Sequence, residues 1–161
     1  MSLIAPLLPL ANVVASLDAS SKKRVFEEAG LLFETQLGIG RDIIFDKLFA
    51  RERLGSTGLG QGIAIPHSRI AGLAEAAGAF IRLAAPIPFD ALDGRPVSLA
   101  FVLLVPEEAN DTHLQLLSEL ARMFSDRAFR EQLLAAPDAA ALHALLTGWQ
   151  GNPENSGGGA T

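Results

Sequence analysis

Three histidines hold most of the chemical possibilities of this sequence, because it contains no Cys and no Tyr and imidazole is the side chain that titrates near neutrality. His67 directly follows Pro66 in the run Gly62-Ile63-Ala64-Ile65-Pro66. Proline has a fixed φ and no N–H, so it favours an extended residue before it and a defined exit direction after it. His67 is therefore expected to begin a loop at the edge of a sheet. Taken alone, it is either a hydrogen-bonded structural residue or a group available for transfer chemistry. His113 lies in Thr112-His113-Leu114-Gln115, which fits a capping box with Thr112 as N-cap and Gln115 at N3. His113 then occupies the first turn of a helix and shares its inner face with Leu117, Leu120, Ala121 and Phe124. The helix dipole disfavours an imidazolium there, and the free N–H groups of that turn attract anions. A neutral imidazole beside an anion site and a satisfied core histidine both fit this position. His143, inside Ala140-Ala-Leu-His-Ala-Leu-Leu146, has neither feature and is expected on a helix surface.

Other chemistries are excluded by residue type or spacing. Gly55-Ser-Thr-Gly58-Leu-Gly60-Gln-Gly62 invites comparison with nucleotide-binding loops. Its last glycines run G-x-G-x-G, no Lys-Ser/Thr follows, and it precedes a strand where the nucleotide motifs open a helix. Such glycines allow either a tight turn or exposed N–H groups near an anion. No G-x-S-x-G elbow occurs, since Leu54 precedes Gly55. No histidine pair has helical i, i+4 spacing and no H-E-x-x-H is present, so neither a catalytic metal nor a cofactor is expected. Thirteen Lys and Arg against 18 Asp and Glu leave a net charge of −5. No basic cluster exceeds Lys22-Lys23-Arg24, which argues against nucleic acid as a partner.

The elements that must position these residues follow from periodicity. Ser20 or Ser21 caps a helix with Val25, Ala29, Leu32, Phe33 and Leu37 on one face, and Gly38 ends it. A second helix is expected from about Arg41 to Arg51, with Ile44/Leu48 and Phe45/Phe49 as i, i+4 pairs. Strands are expected over Gly62–Pro66, Gly78–Leu83 and Val97–Val105, the last buried on both faces. Helices return over Thr112–Phe124, Asp126–Ala135 and Asp138–Thr147. This order implies an α/β layered single domain, a sheet covered by helices. It does not reveal the strand order.

At 161 residues the chain is one domain long, and its 49% hydrophobic content is ample for one core. The longest apolar run, near Leu99–Val105, is far short of the ~20 residues that span a bilayer, so no membrane insertion is expected. The apolar start, MSLIAPLLPLANVV, lacks a basic region and is broken by Pro6 and Pro9, so it is assigned to the folded domain. That domain is expected over residues 1–149, with 150–161 as a flexible polar tail. Absence of Cys suits a reducing compartment, and a cytoplasmic location is expected.

Taken together, the motifs resemble a known family. Arg51-Glu52 followed by GSTGLGQGIAIPHSR (Gly55–Arg69) is similar to the phosphorylation-site signature of the IIA components of the phosphoenolpyruvate-dependent phosphotransferase system, in the mannitol/fructose superfamily. The stretch Pro86–Asp126 resembles the same family's second block, and SSKKRVFEEAGLLF resembles its nitrogen-regulatory branch. The resemblance implies a mixed sheet flanked by helices on both sides. It implies that His67 is the phosphoryl acceptor, forming a tele-phosphohistidine, with His113 as the second active-site histidine and Arg51 as the active-site arginine. Thr57, Gly60, Gly62 and Thr112 are candidates for phosphoryl binding or loop support. Leu59 and Ile63 are expected on an apolar rim that docks the donor.

The implied donor is a small HPr-like phosphocarrier protein, and the implied role is that of a system component rather than a stand-alone enzyme. The favoured function is regulatory: phosphorylation at His67 switches which partner is held, with potassium-transport or sensor-kinase proteins as the targets the resemblance suggests. One alternative is a sugar-uptake component that passes phosphate to a IIB domain. Another is a binding module that is never phosphorylated.

Overall fold

The strand Val97–Pro106 is almost wholly apolar, so it can only be stable with both faces covered, and the rest of the molecule is arranged around it. The computed structural model describes residues 3–108 and 111–150, with backbone alone at Thr112. In chain order the elements are β1 (Val13–Leu17), α1 (Lys22–Leu37), α2 (Arg41–Leu54), β2 (Gly58–Gly60), β3 (Ile63–Ala64), β4 (His67–Ile70), β5 (Ala77–Ile87), β6 (Val97–Pro106), α3 (Asp111–Ser125), α4 (Arg127–Ala135) and α5 (Ala139–Gly148). Of the expected polar tail, Gly151 to Thr161 lie outside the described residues.

The sheet has the order β1-β5-β6-β3-β2, with β4 also paired to β6. It is mixed: β5 runs antiparallel to β6, whereas β3 and β4 run parallel to it. The register along β6 is unbroken across Ile65-Pro66, since Ala64 faces Ala100 and His67 faces Leu103. The Pro66 carbonyl accepts from Leu103 N–H at 2.9 Å, so the missing proline N–H costs the ladder nothing on that side. This corrects the expected loop at His67: the chain continues as a strand through Ile70.

Side chains alternate across the sheet and divide the core in two. Ile63, Ile65, Phe101, Leu103 and Val105 pack under α3, α4 and α5 with Leu120, Phe124, Leu133 and Leu142. Ala64, Ile70, Val102 and Leu104 face α1 and α2 with Phe26, Phe33, Ile44 and Leu48. Helices thus cover both faces, as the family resemblance implied.

Local chemistry explains the helix ends. The Ser21 hydroxyl accepts from Arg24 N–H, Asp126 from Phe129 N–H and Asp138 from Ala141 N–H, while Gly38 ends α1 at φ 75°. Three expectations change. Helix α3 starts at Asp111, so Thr112 lies inside its first turn and is not the N-cap. Its inner stripe is His113, Leu116, Leu120, Met123 and Phe124, with Ala121 exposed. His143 is half-buried, and its Nε2 lies 2.9 Å from the Leu8 carbonyl, tying α5 to the apolar N-terminal segment.

Candidate functional site

Parity along the chain decides which way His67 points. From Ile63 the same face continues through Ile65 to His67 and Arg69, so the ring emerges on the α3 side of the sheet where the apolar run stops. Here β4 is an edge of the sheet, and the last two turns of α2 and the start of α3 rise on either side of it. Between them lies a groove of about 500 Å³ lined by Lys47, Ala50, Arg51, Leu54, His67, Ser68, Arg69, Val105, His113, Leu114 and Leu117. Arg51, His67 and His113, far apart in sequence, meet in this groove. Its lining holds three cationic side chains and no carboxylate, the opposite of the chain's net charge of −5.

The His67 ring has a defined tautomer. Its Nδ1 lies 2.8 Å from the Ile65 carbonyl oxygen. A carbonyl only accepts, so the proton of the neutral ring sits on Nδ1 and the lone pair sits on Nε2. Burial lowers the pKa of the ring; Arg51 and His113 lower it further, while the Ile65 hydrogen bond and Glu52 act against them. The net direction is down, which keeps Nε2 unprotonated at neutral pH.

The other residues divide by position. The Arg51 guanidinium donates to the Gly55 carbonyl at 2.8 Å, close enough to the groove to turn toward an anion on His67. His113 is 8% exposed, and its Nδ1 is buried with no hydrogen-bond partner among the described residues. Burial lowers its pKa, and the Arg69 charge lowers it further, so it too is held neutral. Thr57 is buried and donates its hydroxyl to Glu52 at 2.6 Å, which makes it a support of the loop. The Thr112 side chain lies outside the description.

The glycines and the expected rim fall elsewhere. Gly60, Gln61 and Gly62 all have positive φ and form the turn between β2 and β3, where Asp93 accepts from Gln61 N–H at 2.9 Å. Gly62 bonds Ser98 and Leu99, four residues or about 13 Å along β6 from the partner of His67. Neither Gly60 nor Gly62 lines the groove beside His67. Ile63 is only 2% exposed because its parity turns it into the core, so it offers no docking surface. Leu59 is exposed on β2 but does not line the groove. The large exposed apolar residues that do line it are Leu54, 85% exposed, and Leu114, 60% exposed.

Sequence reasoning missed these two leucines, together with Lys47, Ser68 and Arg69. Arg69 had a usable signal, since extending the strand past Pro66 puts it on the same face as His67. Among the described residues no group of three or more His, Asp or Glu side chains could hold a metal ion, and no helix is long and apolar enough to cross a membrane.

Comparison with known proteins matches this geometry to a family. Residues 7–148 match the family model described as phosphoenolpyruvate-dependent sugar phosphotransferase system, EIIA 2. A nitrogen regulatory protein of Pseudomonas aeruginosa is 46% identical over 134 residues, covering 83% of this chain and 87% of the relative. The crystal structure of nitrogen regulatory protein IIA-Ntr from Neisseria meningitidis superposes with a TM-score of 0.86 at 54% identity, covering 91% of this chain and 100% of that one. Enzyme IIA-mannitol of Escherichia coli, solved in complex with phosphorylated enzyme IIB-mannitol, shares the fold at a TM-score of 0.73 and 18% identity, covering 89% and 100%.

Proposed function

The chain belongs to the EIIA 2 family of the phosphoenolpyruvate-dependent sugar phosphotransferase system, and from that premise we propose that it is a regulatory phosphoryl carrier of the nitrogen branch. In this reading Nε2 of His67 accepts a phosphoryl group from the phosphohistidine of a small HPr-like protein, and the loaded and unloaded forms hold different partners. The observation that carries it is the Nδ1–H bond to Ile65, which leaves the Nε2 lone pair in a groove lined by Arg51, Arg69, Lys47 and His113.

The transfer balances without moving a proton. The Nε2 lone pair attacks phosphorus, the donor's P–N bond breaks, and its electron pair returns to the donor ring. Each ring keeps its own N–H, so the formal positive charge passes with the phosphoryl group from donor to His67. Little covalent work remains for the rest of the site, which acts by positioning and by stabilising charge. Arg51 suits this role because its guanidinium can pair bidentately with phosphoryl oxygens, and the neutral His113 adds a donor from the start of α3. Phosphorylation adds about two negative charges to a cationic groove, a local change large enough to alter what the surface binds.

Replacement His67→Ala tests the assignment. It is expected to abolish phosphoryl incorporation from a phosphorylated carrier while the far-UV circular dichroism stays unchanged; label on the folded variant would overturn it.

The mannitol relative's complex with phosphorylated IIB favours a second reading, onward transfer to a IIB domain of a sugar-uptake system. Sustained sugar phosphorylation in a reconstituted assay with candidate IIB partners would support it over the purely regulatory role.

A further inference from the structure

Glu52 is a charged residue buried to 4% exposure, one position beyond Arg51, and it does not line the His67 groove. Burying a carboxylate is costly unless its oxygens are satisfied, and here they are. Oε1 accepts the Thr57 hydroxyl at 2.6 Å, and the Thr57 N–H lies 3.2 Å from each oxygen. Lys22 Nζ lies 3.1 Å from Oε2 and reaches Asp90 at 2.9 Å on its other side. The bonds continue beyond Thr57. The Thr57 carbonyl accepts from Ile65 N–H at 3.0 Å, and the Ile65 carbonyl accepts from His67 Nδ1–H at 2.8 Å. Both peptide groups of Ile65 are thus directed away from β6, toward Thr57 and the His67 ring, with the rigid Pro66 between Ile65 and His67.

We propose that Glu52 and Thr57 are positioning residues for His67, holding the Ile65 carbonyl where it keeps the ring in its Nδ1–H tautomer and aims Nε2 into the groove. The logic is that of a carboxylate orienting a catalytic imidazole, with a threonine and the two peptide groups of Ile65 interposed. Among the described residues, the carboxylate also supplies a negative charge near a ring otherwise faced by Lys47 and Arg51 from α2, His113 from α3 and Arg69 from β4. It therefore favours the moment when the ring becomes positive on accepting the phosphoryl group. The inference rests on His67 being the acceptor, but its test reads the ring directly.

The test compares Glu52→Gln, Thr57→Val and Thr57→Ser with wild type in the full chain labelled with ¹⁵N-histidine. Long-range ¹H–¹⁵N spectra across pH report the tautomer and titration of His67, and a parallel assay measures transfer from a phosphorylated HPr-like carrier. Wild type is expected to show the Nδ1–H tautomer at neutral pH. Glu52→Gln and Thr57→Val are expected to admit the Nε2–H tautomer and to slow transfer about ten-fold or more. Glu52→Gln should also lower the His67 titration midpoint, since a negative charge is lost, and Thr57→Ser should restore wild-type behaviour. A folded Glu52→Gln or Thr57→Val protein with the wild-type tautomer and midpoint overturns the inference. If Glu52→Gln does not fold, Thr57→Val decides. If wild type accepts no phosphoryl group, the functional reading fails, while the spectra still decide the positioning.

Discussion

In the proposed transfer the neutral imidazole is the reactive form of His67, so its protonation sets the acid limit. Burial, with Arg51 and His113 beside the ring, holds its pKa below the ordinary value of 6.5. The transfer rate is expected to stay level through neutral pH and to fall only at pH values under 6.5; a pH–rate profile with its acid limb at or above that value contradicts the site's electrostatics. The same shift has a consequence for folding. His67 and His113 both bind protons less readily folded than unfolded, so the unfolded chain takes up more protons as pH falls. Stability is therefore expected to decline from about pH 6.5 down through the lowered folded values, and to change no further on their account below both. Urea titrations from pH 7.5 to 5 measure this, and His113→Gln should flatten the slope. A His113→Gln slope as steep as wild type would contradict the lowered value at His113.

At the scale of elements, the site depends on how firmly the helices are fastened to the sheet. Arg82, half-buried on β5, donates from Nε to the Ala15 carbonyl at 2.7 Å and from Nη1 to the Leu133 and Ala136 carbonyls at 2.8 Å each. It fastens β1 and the end of α4 to the central sheet. Arg82→Met keeps the length but removes the donors, with an expected cost of about 2–3 kcal/mol in urea unfolding; a change under about 0.5 kcal/mol would mean that water satisfies those carbonyls. Helices were legible in the sequence because their apolar residues recur at helical spacing, and the Ser21 hydroxyl accepts the Arg24 N–H as a cap should. The strand β6 was legible because a nearly unbroken apolar run has few other uses. Strands β1, β2 and β4 were not. Gly58-Leu-Gly60 reads as a turn, and His67-Ser-Arg-Ile70 follows a proline that hides the continuing ladder to β6. The error at Ile63 has the same root, because facing the core or facing a partner depends on parity along a strand. The role proposed for His67 rests on the family resemblance, since no spacing distinguishes it from a structural histidine. Glu52 went unread because a glutamate near the end of an amphipathic helix is ordinarily a surface residue.

For the whole molecule, the net charge of −5 and the cationic groove are separate facts with separate uses. In the proposed transfer the groove would suit the phosphoryl group, and the acidic remainder would suit a donor with a basic face. Leu54 and Leu114 lie where the two proteins would meet. Replacing either with Gln is expected to raise the donor concentration needed for half-maximal transfer several-fold, with thermal stability unchanged; an unaltered dependence would place the donor elsewhere. The layered architecture was legible from the order of elements. The strand order was not, because β6 pairs in parallel with β3 and β4 as well as antiparallel with its sequence neighbour β5. The central claim is tested most directly by intact mass after incubation with the HPr-like carrier and its phosphoenolpyruvate-fed upstream enzyme. Wild type is expected to gain about 80 Da, one phosphoryl group, and His67→Ala to gain nothing; no gain on wild type, or the same gain on the variant, would contradict it.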